Sequence, residues 1–172
     1  MKYCDLHVHT TTSDGSETPT AVVARAKAQG VSAIAVTDHD TCEGVPEALA
    51  AGKELGVEVI SGIEVSVDYL GVYGIHVLGH FIDPNSEAMQ RLLDWVIAER
   101  KRRNRLIADA MHADGIPIRV EELRERYPES VVGRPHFAVA LVELGYAETI
   151  RDALTAISTR GRNIISSAAT SR

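Results

Sequence analysis

The chain has 172 residues, of which 45% are hydrophobic and 24% charged, and its formal net charge is −6 at pH 7. This size and composition are typical of one globular domain, or of one domain with a small appendage, that can bury a sizeable core. The acidic balance argues against nonspecific binding to nucleic acid or to an anionic membrane, because both require a basic surface. It allows a small phosphorylated substrate, since a bound metal can supply local positive charge.

Cysteine content and the N-terminus indicate the compartment. The two cysteines, Cys4 and Cys42, are too few for a disulfide framework, and this favours a reducing cytoplasm. The N-terminus lacks the basic and apolar regions of a secretory signal, and no apolar run approaches the length of a membrane span. We therefore expect a cytoplasmic protein that does not cross a membrane.

The first 84 residues predict alternating strands and helices. Strands are expected over residues 2–9, 31–38, 57–67 and 72–82. A first helix begins after Thr18, with Pro19 in its first turn, and ends before Gly30; a second ends at Gly56. This order predicts an α/β fold with a mostly parallel sheet, although the short segment before the fourth strand also allows a hairpin.

Helical patterns dominate the second half of the chain. One long helix is expected over residues 85–114, and shorter helices over 120–127, 135–145 and 148–158. We predict three parts: a sheet region over 1–84, a helical insertion or subdomain over 85–158, and a polar tail over 159–172. The tail is rich in Ser and Thr and lacks a hydrophobic pattern, so we expect it to be disordered.

Histidines and carboxylates cluster where the predicted strands approach one rim of the sheet. They are His7, His9, Asp14, His39, Glu64 and His76. The C-terminal ends of parallel strands share one rim, where ligands bind, and His7 and His9 share a strand face because they are two residues apart. A mixed set of imidazoles and carboxylates suits Zn, Mn or Fe, and it exceeds what one ion needs. Glu64 could bridge two metals.

Simpler interpretations exist for the single residues. A lone His-x-His pair is more often incidental, Asp38 and Asp40 could cap the following helix, and His76 could be a satisfied core histidine. Glu64 is harder to dismiss, because a carboxylate in an apolar strand must be paired or metal-bound. The metal interpretation is favoured because the alternatives must explain four strands independently.

Other polar residues give weaker signals. His80 could line the pocket or cover its edge, whereas His112, near the end of the long helix, is interpreted as structural. The basic run over 99–105 is interpreted as a solvated helix face. In "GRPHFA", Pro135 begins a helix and places Arg134 and His136 near its positive end, which favours phosphate contact about as much as a plain helix start.

Five segments taken together resemble one protein family. They are "DLHVHTTTSDG", "GVSAIAVTDHDT", "VISGIEVS", "IHVLGHFID" and "GRPHFA". Over about residues 1–150 the chain is similar to the PHP family, the polymerase and histidinol phosphatase domain. Within this family, the chain is most similar to the stand-alone phosphoesterases. That group contains nucleoside 3′,5′-bisphosphate phosphatases that also trim RNA 5′ ends.

The resemblance implies a fold, a cofactor and residue roles. The fold would be the N-terminal portion of a distorted seven-stranded (β/α) TIM-like barrel, with a helical insertion after Pro84. The cofactor would be a cluster of two or three divalent metals, Mn, Fe or Zn. By resemblance, His7 and His9 bind one metal, Asp14 and His39 another, Glu64 bridges, and His76 binds a third. Arg134 and His136 fall in the family's phosphate-binding segment.

The chain also departs from the family pattern. Relatives often carry Tyr where this chain has His80, and the family's later His and terminal Asp-x-His ligands would lie beyond residue 172. The closing "TAISTRGRNIISSAATSR" also differs from the family's usual continuation. We therefore hypothesise a truncated or frame-shifted product, whose open sheet edges would favour self-association.

The predicted function is metal-dependent hydrolysis of a phosphomonoester on a small, nucleotide-like substrate, such as a nucleotide or an RNA 5′ end. Two alternatives remain open. One is a non-catalytic metal-binding remnant with an incomplete cluster. The other is a relative of histidinol-phosphate phosphatase, with the same chemistry and another substrate.

Overall fold

The computed structural model describes residues 3–69, 72–128 and 130–158, and the chain forms two compact units. The first unit comprises Met1–Ile97 with Glu129–Val131, and the second comprises Ala98–Pro128 with Val132–Arg172. The predicted three-part organisation stays a prediction, and the tail over 159–172 lies outside the described residues.

The first unit contains a four-stranded sheet in the order β1-β2-β3-β4. The strands are β1 (Tyr3–Val8), β2 (Val31–Val36), β3 (Glu58–Tyr69) and β4 (Val72–His80). The pairs β1–β2 and β2–β3 are parallel, whereas β3–β4 is antiparallel. The expected parallel pairing is thus confirmed for three strands, and the fourth follows the hairpin alternative.

Two helices connect the parallel strands, as their sequences predict. Helix α1 (Pro19–Ala28) begins after Thr18, whose side-chain oxygen accepts a hydrogen bond from Ala21 N at 3.2 Å. Helix α2 (Val45–Leu55) ends at Gly56, whose φ of 69° lies in the left-handed region that glycine adopts without strain. The buried cluster between helices and sheet includes Val23, Ile34, Val36 and Ala48.

The second unit is helical. Helix α3 (Glu87–Ala113) contributes its first turns to the first unit and the remainder to the second, which also contains α4 (Val120–Arg126) and α5 (Arg134–Glu143). Residues 150–158 are helical as well. The core of this unit includes Ile107, Phe137, Leu141 and Ile157. Among the described helices, none is both long and apolar enough to cross a bilayer.

The basic run over 99–105 was predicted to be a solvated helix face, but two of its residues are buried. Arg100 and Asn104 are buried, and Asn104 Nδ2 donates a hydrogen bond to Val132 O at 2.8 Å. Both residues share a helix face with Ile107, because positions four and seven apart lie above one another. That face packs into the core of the helical unit, so for these two residues the prediction was wrong.

Candidate metal centre

Four of the six predicted ligand residues, all histidines, converge on the carboxylate of a fifth, Glu64. Glu64 lies in the middle of β3 and is 3% exposed. Its Oε2 atom lies 2.9 Å from His7 Nε2, 3.0 Å from His9 Nε2 and 3.5 Å from His39 Nδ1. Its Oε1 atom lies 2.7 Å from His76 Nδ1. Four imidazoles therefore surround one buried carboxylate.

Ligand atoms form three overlapping groups, each with its atoms within 4.8 Å of one another. The groups are His7–His9–Glu64, His9–Asp14–His39 and His39–Glu64–His76. In the second group, Asp14 approaches His9 Nδ1 at 3.4 Å and His39 Nε2 at 3.7 Å. Because His9, His39 and Glu64 each belong to two groups, the arrangement is continuous across all six residues.

His76 reaches this cluster by a different route from the one predicted. We expected it at the C-terminal end of a parallel strand, but β4 is antiparallel to β3 and pairs His76 with Ser66. Ser66 is two residues from Glu64, so His76 and Glu64 lie on the same face of the hairpin. Strand pairing across the hairpin, rather than a shared strand end, brings His76 into the cluster.

The loop that carries Asp14 is organised by Asp38, which was interpreted as a possible helix cap. Asp38 is buried and accepts hydrogen bonds from Thr10 N at 2.7 Å, Thr10 Oγ1 at 2.8 Å and Ser13 Oγ at 2.6 Å. Helix α2 instead begins after Gly44, without a side-chain cap. The capping interpretation of Asp38 was therefore wrong, and Asp38 fixes the loop between His9 and Asp14.

Asp40 has a similar structural role on the other side of His39. Its φ of 55° lies in the left-handed region, which Asp tolerates better than most residues. Its carboxylate accepts hydrogen bonds from Ser66 N at 2.8 Å and Ser66 Oγ at 3.0 Å. His39 forms an isolated parallel bridge with Glu64. Asp40 thus does not cap α2, and its bonds to β3 hold His39 beside Glu64.

Burial and charge act in opposite directions on the central residues. Burial alone would raise the pKa of Glu64, but the hydrogen bond with His7 and the charges of His39 and His76 lower it below its ordinary value. For His39, burial is the largest influence and lowers the pKa, despite the opposing attraction of Asp14 and Glu64. Both groups therefore have a pKa below the ordinary value, and the deprotonated carboxylate and imidazole are the forms that bind metals.

One polar atom in the cluster is left without a hydrogen bond. Among the described residues, His39 Nδ1 is buried and has no hydrogen-bond partner, although Glu64 Oε2 lies 3.5 Å away. Such an orphaned nitrogen is costly unless something else satisfies it. A divalent cation would satisfy it, and the nitrogen and carboxylate donors suit Zn, Mn or Fe. The residues present thus fit a metal.

The two predicted phosphate-binding residues belong to the helical unit. Arg134 is the first residue of α5, one position before the predicted start. His136 is 6% exposed, and its Nδ1 accepts a hydrogen bond from Gly133 N at 2.9 Å. Its ring also packs against Tyr127, with a centroid distance of 4.5 Å. Their role in binding phosphate stays a prediction.

The remaining histidines differ from each other. His80 lies at the end of β4, and its Nε2 contacts Leu6 O at 2.8 Å, so it bridges to β1 rather than to a ligand atom. His112 is exposed in the last turn of α3. His80 is the residue whose role the sequence left most open, since only its strand parity with His76 indicated a place near the centre.

A family model described as the PHP domain matches residues 5–151. The chain belongs to the PHP domain family. It is 41% identical over 144 residues to a 5′-3′ exoribonuclease of Haemophilus influenzae, covering 84% of this chain and 52% of the relative. It is 35% identical over 163 residues to a 3′,5′-nucleoside bisphosphate phosphatase of Chromobacterium violaceum, covering 94% of this chain and 57% of the relative.

A solved structure shows the same fold. A Bifidobacterium adolescentis protein, provisionally named a metal-dependent phosphoesterase, matches with a TM-score of 0.80 and 33% identity over 91% of this chain and 55% of that one. The resemblance to the PHP family is thus confirmed, as is an α/β fold whose sheet curls into a half-barrel. This PHP chain spans about half the length of the curated relatives it matches.

Proposed function

We propose that this PHP chain carries the metal centre of a phosphoesterase that hydrolyses a phosphomonoester of a nucleotide-like substrate. The observation that supports it most is the convergence of four histidines on the buried carboxylate of Glu64, with Asp14 beside two of them. Two relatives named for nucleotide or RNA hydrolysis support the substrate class. For a chain of this length, hydrolysis itself belongs to the proposal.

The cofactor of this proposal is a cluster of two or three divalent metals, Mn, Fe or Zn. His7 and His9 would hold one metal with Glu64, and Asp14 and His39 would hold another with His9. The third group, completed by His76, would accommodate the third. When bound, such metals lower the pKa of water and neutralise the charge of a phosphate group.

The chain's own residues would prepare this chemistry in three ways. Glu64, buried and ionised, supplies the negative charge around which the cationic centre assembles. Asp38 and Asp40 hold the backbone on both sides of His39, so that its ligand atoms need not reorganise. Arg134, at the start of α5, would contact the phosphate, because a helix N-terminus and a guanidinium both favour anions.

The proposal also includes the architecture of the complete barrel and the identity of the substrate. The four-stranded half-barrel would be the N-terminal portion of a seven-stranded β/α barrel, as the resemblance implies. The substrate would be a nucleoside 3′,5′-bisphosphate or the 5′ end of an RNA, the chemistry named for two relatives. Both substrates carry phosphate esters on nucleotides.

Phosphate release from a nucleoside 3′,5′-bisphosphate, with added Mn²⁺, tests the proposal directly. We compare the purified wild-type chain with Glu64→Gln and with Glu58→Gln, a matched control at the exposed start of the same strand. Turnover should persist in Glu58→Gln and fall by more than about 100-fold in Glu64→Gln, because a carboxylate shared by two ligand groups is lost.

Bound metal, measured in the same samples after dialysis, separates the alternatives. Equal turnover in wild type and Glu64→Gln would overturn the assignment of the site. A wild-type chain that retains metal but releases no phosphate would contradict hydrolysis by this length of chain. That result would favour the non-catalytic metal-binding alternative.

We also propose that the sheet edges mediate self-association with a second copy of the chain. Strands β1 and β4 are the two edges of the described sheet, and they expose Tyr3 (62%) and Val77 (52%). Exposed edge strands with apolar side chains favour pairing with another chain. Sedimentation should show a dimer that Val77→Lys weakens, and a wild-type monomer at all concentrations would exclude it.

A further inference from the structure

The peptide between Leu6 and His7 is turned out of the β1–β2 ladder. Asp5 pairs with Ile34 and Val8 pairs with Val36, so three steps along β1 match two steps along β2. An extra residue on one strand defines a β-bulge, which bends the strand and redirects its side chains. Regular pairing resumes where Thr37 N donates to Val8 O at 2.9 Å.

The bulge decides which way His7 faces. Val8 and Val36 both pack into the cluster between sheet and helices. Without the extra residue, His7 instead of Val8 would stand opposite Val36, on the side of the sheet that the helices cover. A shift of one residue moves every side chain to the opposite face of a strand. The bulge therefore lets His7 reach Glu64 Oε2 at 2.9 Å.

Two side chains satisfy the polar groups of the displaced peptide. His80 Nε2 lies 2.8 Å from Leu6 O, and Asp5 Oδ1 accepts a hydrogen bond from His7 N at 3.2 Å. A carbonyl oxygen can only accept, so His80 carries its proton on Nε2 and donates it to Leu6. The carbonyl group of Leu6 and the amide group of His7 are thus both hydrogen-bonded to side chains instead of to β2.

We propose that His80 and Asp5 are positioning residues for the metal centre, because together they hold the Leu6–His7 peptide in the bulge that aims His7 at Glu64. This rests on the proposed metal site. Neither residue belongs to the three ligand groups, and each acts on the centre only through the backbone. Groups that orient metal ligands in this way typically contribute about 10–100-fold to metal affinity.

The first experiment measures Zn²⁺ affinity by competition with a chromophoric chelator. His80→Leu removes the donor, whereas His80→Gln keeps an N–H that can reach Leu6 O. The exposed His112 supplies the matched control, His112→Leu. We expect about 10–100-fold weaker binding in His80→Leu. His80→Gln and His112→Leu should bind Zn²⁺ as tightly as the wild type does.

The second experiment uses the metal-free chain and hydrogen exchange at the His7 amide. Asp5→Ala should accelerate this exchange by about 10-fold or more, because the amide loses its acceptor, whereas Asp5→Asn keeps an oxygen in place. The same pair also enters the Zn²⁺ measurement. If His80→Leu fails to fold, as circular dichroism would show, the comparison of Asp5→Ala with Asp5→Asn decides the proposal.

The two arms separate the outcomes. A folded His80→Leu that binds Zn²⁺ as tightly as His112→Leu would overturn the positioning role, as would a failure of His80→Gln to restore binding. A wild-type chain that binds no Zn²⁺ would contradict the proposed metal site. In that case, hydrogen exchange at the His7 amide in the metal-free chain still tests whether Asp5 holds the bulge, by the comparison of Asp5→Ala with Asp5→Asn.

Discussion

Glu64 in the sheet unit and His136 in the helical unit are both buried, yet their surroundings differ. Glu64 is approached by four imidazoles, of which His39 retains a buried nitrogen without a hydrogen bond among the described residues. His136 instead accepts a hydrogen bond from the Gly133 amide and packs its ring against Tyr127.

The difference distinguishes a binding centre from a structural contact. A buried polar group that is satisfied within its own unit stabilises the fold, and its removal costs stability. The cluster around Glu64 instead leaves His39 Nδ1 buried without a hydrogen bond among the described residues, which indicates a group that these residues do not supply. By this criterion the cluster around Glu64 fits a metal centre. The contacts of His136 support the start of α5, and its predicted role in binding phosphate stays a prediction.

The strongest test of this contrast is His39→Ala. Zn²⁺ affinity should fall by more than about 100-fold, because a ligand is lost, and losses of supporting residues alone cost about 10–100-fold. In chelator-treated protein the variant should be as stable as the wild type, since His39 Nδ1 has no hydrogen bond to lose among the described residues. Urea unfolding with and without Zn²⁺ measures both. A large loss of metal-free stability would show that His39 is structural.

Cys42 is a third kind of buried group, a thiol that stays neutral, and it can be compared with Glu64 and His136. Burial, followed by the nearby charge of Asp38, raises its pKa from 9.0 to about 11. At about pH 8 its thiolate fraction is therefore about 100-fold smaller than that of an unperturbed thiol. Alkylation by iodoacetamide, followed by mass spectrometry, should modify the exposed Cys4 long before Cys42 and should accelerate at Cys42 as the pH rises. Equal rates at the two thiols would contradict this.

Gly15→Ala tests whether the Asp14 loop must pack tightly against the ligand strand. A Cβ atom at this position would lie 2.6 Å from the His9 carbonyl carbon and oxygen and 2.7 Å from Thr10 N. Backbone atoms cannot give way without moving His9, so we expect about 10–100-fold weaker Zn²⁺ binding. The exposed neighbour provides the control, Ser16→Ala, which should bind normally. Tight binding by Gly15→Ala would mean that the loop is adaptable.

His136→Ala should have the smallest effect, and on stability instead of metal binding. Loss of the acceptor for Gly133 N–H should lower the unfolding free energy by about 1–3 kcal/mol, with Zn²⁺ affinity unchanged. The exposed His112→Ala serves as control in urea unfolding of the chelated chain. Unchanged stability together with a raised KM for the bisphosphate would instead support the predicted phosphate contact.

Local chemistry allowed much of the fold and the candidate ligand set to be predicted. Thr18 with Pro19, and Gly56, mark helix ends because capping depends on adjacent residues. His7 and His9 are recognisable as a pair because strand periodicity acts over two residues. Glu64 could be singled out because a carboxylate is rare in an apolar strand.

What could not be predicted depends on partners distant in the sequence. Asp38 bonds to a residue 28 positions away and Asp40 to one 26 positions away, so nothing adjacent separates these roles from helix capping. The bulge in β1 depends on His80, 74 residues from Leu6. Arg100 and Asn104 were predicted to be solvent-exposed because their neighbours are basic, whereas the packing of α3 buries them.

The antiparallel β3–β4 hairpin has a consequence for the order of folding. It sets His76 opposite Ser66, a contact between residues close in the chain, whereas His7 must meet Glu64 across 57 residues. Hairpins form in about 1–10 μs, while distant pairings pay a larger loop-closure entropy first. We therefore expect the His76 side of the centre to be assembled early and the His7 side last. The bulged first strand would then be the step that completes the nascent site.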